Sequence, residues 1–276
     1  MEIPVNILVR GKNLLGVLNI AEHQLNDPIL VVMCYGFNGD RVEQHRMSVT
    51  MGRVFAENRL NFCRIDFRNQ GLSEGTFDDF LFSEKIEDIN EIIAFLKACF
   101  RNENLKVFLI GFSNGCKVAI DALQKNSDIY GAVLWNPILQ ELINKQENAG
   151  ESRRLQRHPK TGKFYKSRYS LRLNIGLLYE MNADKSLEEL INTRKNVLCI
   201  LSKDDSTIQE FVHEIEKYQE NDNVYVQYIY NSDHLFGSVD DVNQVISSTL
   251  NWILKQHNCG NWKQNYNENI CVRGNI

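Results

Sequence analysis

Six short apolar runs, Ile29 to Cys34, Phe62 to Ile65, Val107 to Ile110, Ala132 to Trp135, Val197 to Leu201 and Val224 to Tyr230, alternate with stretches whose apolar residues recur at helical spacing. The helical stretches lie at about 42 to 57, 82 to 101, 115 to 125, 206 to 219 and 239 to 256. Unbroken apolar runs of this length read as strands buried on both faces, because a strand with one wet face would alternate. Strand, helix, strand in repetition predicts an α/β fold with a mostly parallel, doubly wound sheet and helices on both faces. Ahead of it, Val5, Ile7 and Val9, then Leu14, Gly16, Leu18 and Ile20, alternate around Gly11-Lys12-Asn13 and predict an opening β-hairpin, which makes eight strands.

One interval breaks the rhythm. About sixty residues separate the strand ending near Trp135 from the strand beginning at Val197, and an inserted cap fits there. The expected organisation is one core in two parts, 1–138 and 196–257, a cap insertion at 139–195, and a polar, Asn-rich tail at 258–276. Within the cap, Arg153, Arg154, Arg157, Lys160, Lys163, Lys166, Arg168 and Arg172 occur with no Asp or Glu from Ser152 to Arg172. Such a run reads either as a solvated face or as a docking surface for an acidic partner or a negatively charged substrate.

A net charge of -4 gives the chain no global attraction to nucleic acid or to an anionic membrane. No apolar stretch approaches a membrane span, and Met1-Glu2-Ile3-Pro4 lacks the regions of a signal peptide, so a cytoplasmic protein is expected. Among seven cysteines, Cys34, Cys63, Cys99, Cys116 and Cys199 stand in apolar surroundings and read as small core residues in a reducing compartment. Cys259 and Cys271 lie in the polar tail, with no CxxC and no nearby His cluster, so neither a metal nor a cofactor is expected.

Gly111-Phe112-Ser113-Asn114-Gly115 directly follows one apolar run and leads into a helical stretch, which is the setting of a nucleophile elbow. A serine at such a turn adopts a strained backbone, and glycines two residues before and after let strand and helix approach. A serine hydroxyl needs a base within reach and a third group to orient that base. Of six histidines, His234 alone directly follows a predicted strand, at the carboxyl edge where open α/β sheets bind ligands. The orienting acid should fall between Ser113 and His234 in chain order, and Asp204-Asp205, after the run ending at Leu201, offers two candidates. Asp205 is favoured, and the other is expected to cap the helix starting near Ser206. Acyl transfer also requires donors for the oxyanion, for which the backbone N–H groups of Asn114 and of Phe37, in Tyr35-Gly36-Phe37-Asn38-Gly39-Asp40, are the candidates. Tyr35, Gly36 and Leu235, beside these groups, are candidate substrate contacts.

Residues 34 to 75, LIGFSNG at 109 to 115 and SDHLF at 232 to 236 resemble α/β-hydrolases of the bacterial cinnamoyl and feruloyl esterase type and their serine-aminopeptidase-like relatives. Asp66-Phe67-Arg68 with Gly71, Ser73 and Gly75 resembles the family's loop after the fourth strand. The resemblance implies Ser113 as nucleophile, His234 as base, Asp205 as acid, Phe37 and Asn114 as oxyanion donors, and a cap over the pocket. This chain has Tyr35-Gly36 where the family has His-Gly, Cys116 where a second glycine often follows the elbow, and Leu201-Ser202 where the strand before the acid ends in His-Gly. The implied activity is hydrolysis of a carboxylic ester through an acyl-enzyme. Two alternatives accompany it: a thioesterase or acyltransferase acting on acyl-CoA or on an acidic acyl carrier protein docked at the basic cap, and a non-catalytic small-molecule receptor of the same fold.

Overall fold

In the computed structural model, which describes residues 1–23, 25–139, 156–168, 171–217 and 222–258, the chain opens with a hairpin of β1 (Glu2–Val9) and β2 (Lys12–Asn19). Six further strands complete the main sheet: β3 (Ile29–Cys34), β4 (Leu60–Ile65), β5 (Lys106–Phe112), β6 (Ile129–Trp135), β10 (Asn196–Ser202) and β11 (Val224–Ile229). The eight strands lie in the order β1-β2-β4-β3-β5-β6-β10-β11. β2 pairs antiparallel with both β1 and β4, and every other pairing is parallel. β3 is followed by β4 on one side and β5 on the other, so the winding reverses there and opens a crevice at the carboxyl ends of β3 and β5.

β3 and β4 are buried along their whole length, as their unbroken apolar sequences require. β11 differs, being half-buried from Val224 to Tyr228, because it forms the sheet edge with only β10 beside it. Around the sheet lie α1 (Met47–Glu57), α2 (Phe82–Phe100), α3 (Gly115–Lys125), α6 (Gln209–Lys217) and α7 (Val239–Asn258). α1 begins at Met47 and not near 42, because Glu43, His45 and Arg46 all take positive φ, which breaks the helical path ahead of it. Cys99 corrects a second expectation: it lies near the end of α2 on the solvent side and is exposed, whereas Cys34, Cys63, Cys116 and Cys199 are buried. Cys259 and Cys271 fall outside the described residues, as does all of 259–276.

Between β6 and β10 the chain builds a small antiparallel sheet of β7 (Gln156–Arg157), β8 (Phe164–Arg168) and β9 (Leu171–Asn174), followed by α4 (Ile175–Asn182) and α5 (Ser186–Ile191). This segment is anchored on the start of α2 and the short turn Phe77–Asp79 before it. Glu180 accepts from the Phe82 N–H at 2.7 Å and from the Ser83 hydroxyl, which places a carboxylate at a helix N-terminus. Lys163 pairs with Asp79, Arg172 with Asp78 at 3.0 Å, and Asn174 Nδ2 donates to the Phe80 carbonyl at 2.9 Å. Further on, Asp184 is held by Lys117 of α3 at 3.0 Å. Among the described residues no helix is long and apolar enough to cross a membrane.

On the α7 side of the sheet a buried polar contact reaches into the core, Trp135 Nε1 donating to Thr249 Oγ1 at 3.0 Å with both residues buried. Thr249→Val keeps the shape and leaves the indole N–H unpaired. The expected cost is about 1–3 kcal/mol in urea unfolding, with Thr249→Ser much closer to wild type. Equal stability of the valine and serine variants would contradict this.

Candidate active site

Ser113 stands between β5 and α3 with φ +55°, a left-handed conformation that is costly for a residue with a side chain. Its surroundings hold it there: its N–H donates to the Trp135 carbonyl at 2.9 Å, and its carbonyl accepts from Cys116 N–H at 3.1 Å and Ile138 N–H at 3.3 Å. A Cβ at Gly111 would lie 2.6 Å from Cys116 Cα, and one at Gly115 would overlap the carbonyl oxygens of Cys34 and Tyr35. Both glycines are therefore required by close approach, and the turn presents the Ser113 hydroxyl at the crevice. Gly36 faces it, a Cβ there falling 3.5 Å from Ser113 Cβ.

The loop after β11 brings in His234, whose Nε2 lies 3.0 Å from Ser113 Oγ and whose Nδ1 lies 2.6 Å from Asp205 Oδ2. An ionised carboxylate can only accept, so Nδ1 carries the proton and Nε2 is left to accept from the serine hydroxyl. The imidazole rests on Phe112, with ring centroids 5.8 Å apart and planes 24° from parallel. Asp205 is buried, and its second oxygen accepts from Thr207 N–H at 2.8 Å and Thr207 Oγ1 at 2.7 Å. Burial alone would raise its carboxyl, but hydrogen bonds from His234 and Thr207 outweigh it and hold the group below the usual carboxylate range.

The two adjacent aspartates divide their tasks differently from the sequence expectation. Asp205 both meets the imidazole and caps the short turn Ser206–Ile208 through Thr207 N–H. Asp204 accepts from Asn231 N–H at 2.7 Å and so ties down the loop that carries His234.

Of the other sequence candidates, Asn114 follows Ser113 and Phe37 follows Gly36, which faces it, and neither backbone N–H has an acceptor among the described residues. Asn114 is further held by its side chain, which donates to the Ile138 carbonyl at 3.1 Å. Leu235 is exposed at 39%, next in the chain to His234. Tyr35 is a correction: its ring is fully buried against Phe67 and turned into the core, so only its main chain lies at the crevice. The basic run is partly neutralised within the molecule, because Lys163 and Arg172 meet acids of the core; Arg157 and Lys160 are exposed, and Arg153 and Arg154 lie outside the described residues.

Asn136 is a residue the sequence reading missed. Fully buried after β6, it accepts from Ser202 N–H at 2.7 Å and donates to Ser202 Oγ at 2.9 Å and to the His234 carbonyl at 3.0 Å. Ser202 in turn donates to the Asp233 carbonyl at 2.9 Å. The ends of β6 and β10 and the histidine loop are thereby stitched together. The available signal was an amide residue directly after a wholly apolar run and before Pro137, where an unpaired polar group would be expensive.

Residues 30–192 match the model of the family described as serine aminopeptidase, S33. None of the curated proteins matches the sequence. Among solved structures, Est1E from Butyrivibrio proteoclasticus with ferulic acid bound is similar with a TM-score of 0.74 at 17% identity, over 92% of this chain and 99% of that one. The esterase domain of a Rhodothermus marinus protein is similar at 0.66 and 16%, over 92% and 98%. The α/β hydrolase GrgF from Penicillium sp. sh18 is similar at 0.66 and 14%, over 93% and 97%. At such identities these likenesses concern the fold.

The lowered carboxyl of Asp205 has a consequence for stability. A carboxyl lower in the folded chain than in the unfolded one contributes stability that is present above the unfolded value, 3.8, and is lost as pH falls through the folded value. The stability advantage of wild type over Asp205→Asn, measured by urea unfolding, is therefore expected to hold from pH 7 to 5 and to narrow progressively below about pH 4. An advantage that grows on acidification would contradict the assignment.

Proposed function

The chain belongs to the serine aminopeptidase S33 family and has the α/β-hydrolase fold, and from that premise we propose that it is a serine acyl hydrolase that cleaves carboxylic esters through an acyl-enzyme. The observation that carries this reading is the hydrogen-bonded chain from Ser113 Oγ through both nitrogens of His234 to Asp205. Ser113 Oγ attacks the ester carbonyl carbon while its proton passes to His234 Nε2, and the carbonyl oxygen becomes an oxyanion facing the Phe37 and Asn114 N–H groups. Collapse breaks the bond to the alcohol, which leaves with the proton from His234. Water then repeats the sequence on the acyl-serine, and the acid departs. Asp205 stays ionised and stabilises the imidazolium in both halves.

A second reading replaces the ester by a thioester on CoA or on an acidic acyl carrier protein, or passes the acyl group to an acceptor other than water. Its support is the run from Ser152 to Arg172, which has no acidic residue and includes Arg153, Arg154, Arg157, Lys160, Lys163 and Lys166. The pairing of Lys163 with Asp79 and of Arg172 with Asp78 counts against it, because those cations already have carboxylate partners. The free ester is therefore preferred.

A fluorophosphonate probe is expected to label wild type and not Ser113→Ala; folded wild type that resists labelling would favour a non-catalytic receptor. In p-nitrophenyl ester hydrolysis, Asp205→Asn should lose about 10³- to 10⁴-fold in kcat, and Asp204→Asn much less. The reverse ranking would overturn the choice of acid. Turnover of a short-chain ester should exceed that of the matching acyl-CoA, with Arg153→Ala/Arg154→Ala/Arg157→Ala close to wild type. A preference for carrier-borne substrate that this triple change abolishes would move the assignment to the second reading.

A further inference from the structure

Lys85, in the first turns of α2, has its ammonium inside the protein, and the residue is 1% exposed. Among the described residues it forms no ion pair. The acid of α2 that acts on it, Asp88, is engaged by Arg68 through Nε at 2.5 Å and the backbone N–H at 2.9 Å. The hydrogen bonds of Lys85 run instead to two successive main-chain carbonyls, those of Tyr35 and Gly36, each at 3.2 Å, and its Nζ lies 5.1 Å from the ring centroids of Phe67 and Phe80. Taking an ammonium out of water is costly even with good partners, and an apolar side chain of similar length would fill the same space without that penalty. Burial accordingly pulls its ammonium down to about 8, against the pull of Cys34, Glu43 and Asp88. Packing alone does not explain a charge at this position.

The peptide that Lys85 holds does explain it. The bond between Gly36 and Phe37 is trans, so its C=O and N–H lie in one plane and point in opposite directions. An ammonium fixed on the carbonyl side turns the Phe37 N–H the other way, out of the core. Neighbouring contacts allow little rotation: Gly39 N–H reaches the same Gly36 carbonyl at 3.4 Å, and Gln70 Nε2 holds the next carbonyl, that of Phe37, at 2.7 Å. A cation on a carbonyl also polarises the whole amide, which makes its N–H a stronger donor.

We propose that Lys85 is a positioning residue for the oxyanion site: from beneath the loop its buried ammonium sets the direction of the Phe37 N–H and strengthens it as a donor to the oxygen of the tetrahedral intermediate. The inference deepens the acyl-hydrolase reading and rests on it. Lys85 touches no reacting atom, and its effect passes through one peptide unit.

The test begins with wild type, which should be labelled at Ser113 by a fluorophosphonate and should hydrolyse p-nitrophenyl butyrate. Failure of both would remove the parent reading and this one with it, whereas an active wild type lets the variants judge Lys85 alone. Lys85→Met, Lys85→Gln and Lys85→Arg are then compared per titrated active site. For Lys85→Met, kcat is expected to fall about 10- to 100-fold, less than the 10²- to 10³-fold typical of deleting an oxyanion donor outright, with KM nearly unchanged. The affinity of a trifluoromethyl ketone transition-state analogue should fall by a similar factor, and Lys85→Arg should recover part of both. A purely structural role would lower melting temperature and the active fraction but leave kcat per site and analogue affinity at wild-type levels, and that result overturns the proposal. Should no Lys85 variant fold, the crystal structure of the wild-type phosphonate adduct decides. Phosphoryl oxygen on Phe37 N–H with Lys85 Nζ still on the Gly36 carbonyl is expected, and a lysine withdrawn from that carbonyl overturns the proposal.

Discussion

A strand and a helix meet at Ser113 with no room for a side chain on either flank, and the rest of the site is built outward from that contact. Because Gly115 abuts the carbonyl oxygens of Cys34 and Tyr35, the end of β3 is clamped against the start of α3. The loop after β3 is thus set beside the serine by backbone packing before any side chain contributes. On the other side the Ser113 N–H and carbonyl are tied to Trp135 and Ile138, which fixes the end of β6, and Asn136 carries the tie on to Ser202 and the histidine loop. The left-handed serine is strained, but it is over-determined by contacts at the ends of β3 and β6 and at the start of α3, which is how such strain persists in a native fold.

The start of α2 links parts of the molecule that lie far apart in sequence. Within four residues, Phe82 N–H meets Glu180 of α4, while Lys85 meets the loop after β3. The inserted segment, the helix and the loop beside Ser113 therefore share one rigid junction. The aromatic rings around it extend the same connection: Phe37 meets Phe77 at 5.4 Å and Phe80 at 6.0 Å, and Phe80 meets Phe82 at 5.4 Å. Whatever settles the segment between β6 and β10 also settles one wall of the crevice.

Much of this was legible in the amino-acid sequence, for a physical reason. Burial on both faces writes itself as unbroken apolar runs, so the parallel strands and the residues that follow them, Ser113, Asp205 and His234, could be placed at one edge of the sheet. What periodicity reports is burial, not partners. Asn136 and Lys85 are polar residues in buried surroundings whose meaning lies in contacts 98 and 49 residues away along the chain, to His234 and Gly36. Nor does spacing reveal backbone sign: the positive φ that delays α1 to Met47 falls at Glu43, His45 and Arg46, of which Glu43 and Arg46 are residue types with no special preference for it. Cys99 shows the same limit, since apolar neighbours along a helix do not say which face points to water.

The basic run shows how the same limit bears on function. Counted along the chain, residues 152–172 carry uncompensated positive charge, which suggests a partner that brings the negative charge with it. In space, Asp78 and Asp79 stand opposite Arg172 and Lys163, supplied by the turn that leads into α2. Solvent-exposed pairs of this kind contribute little stability, but they direct two of the cations at the core and away from an outside ligand.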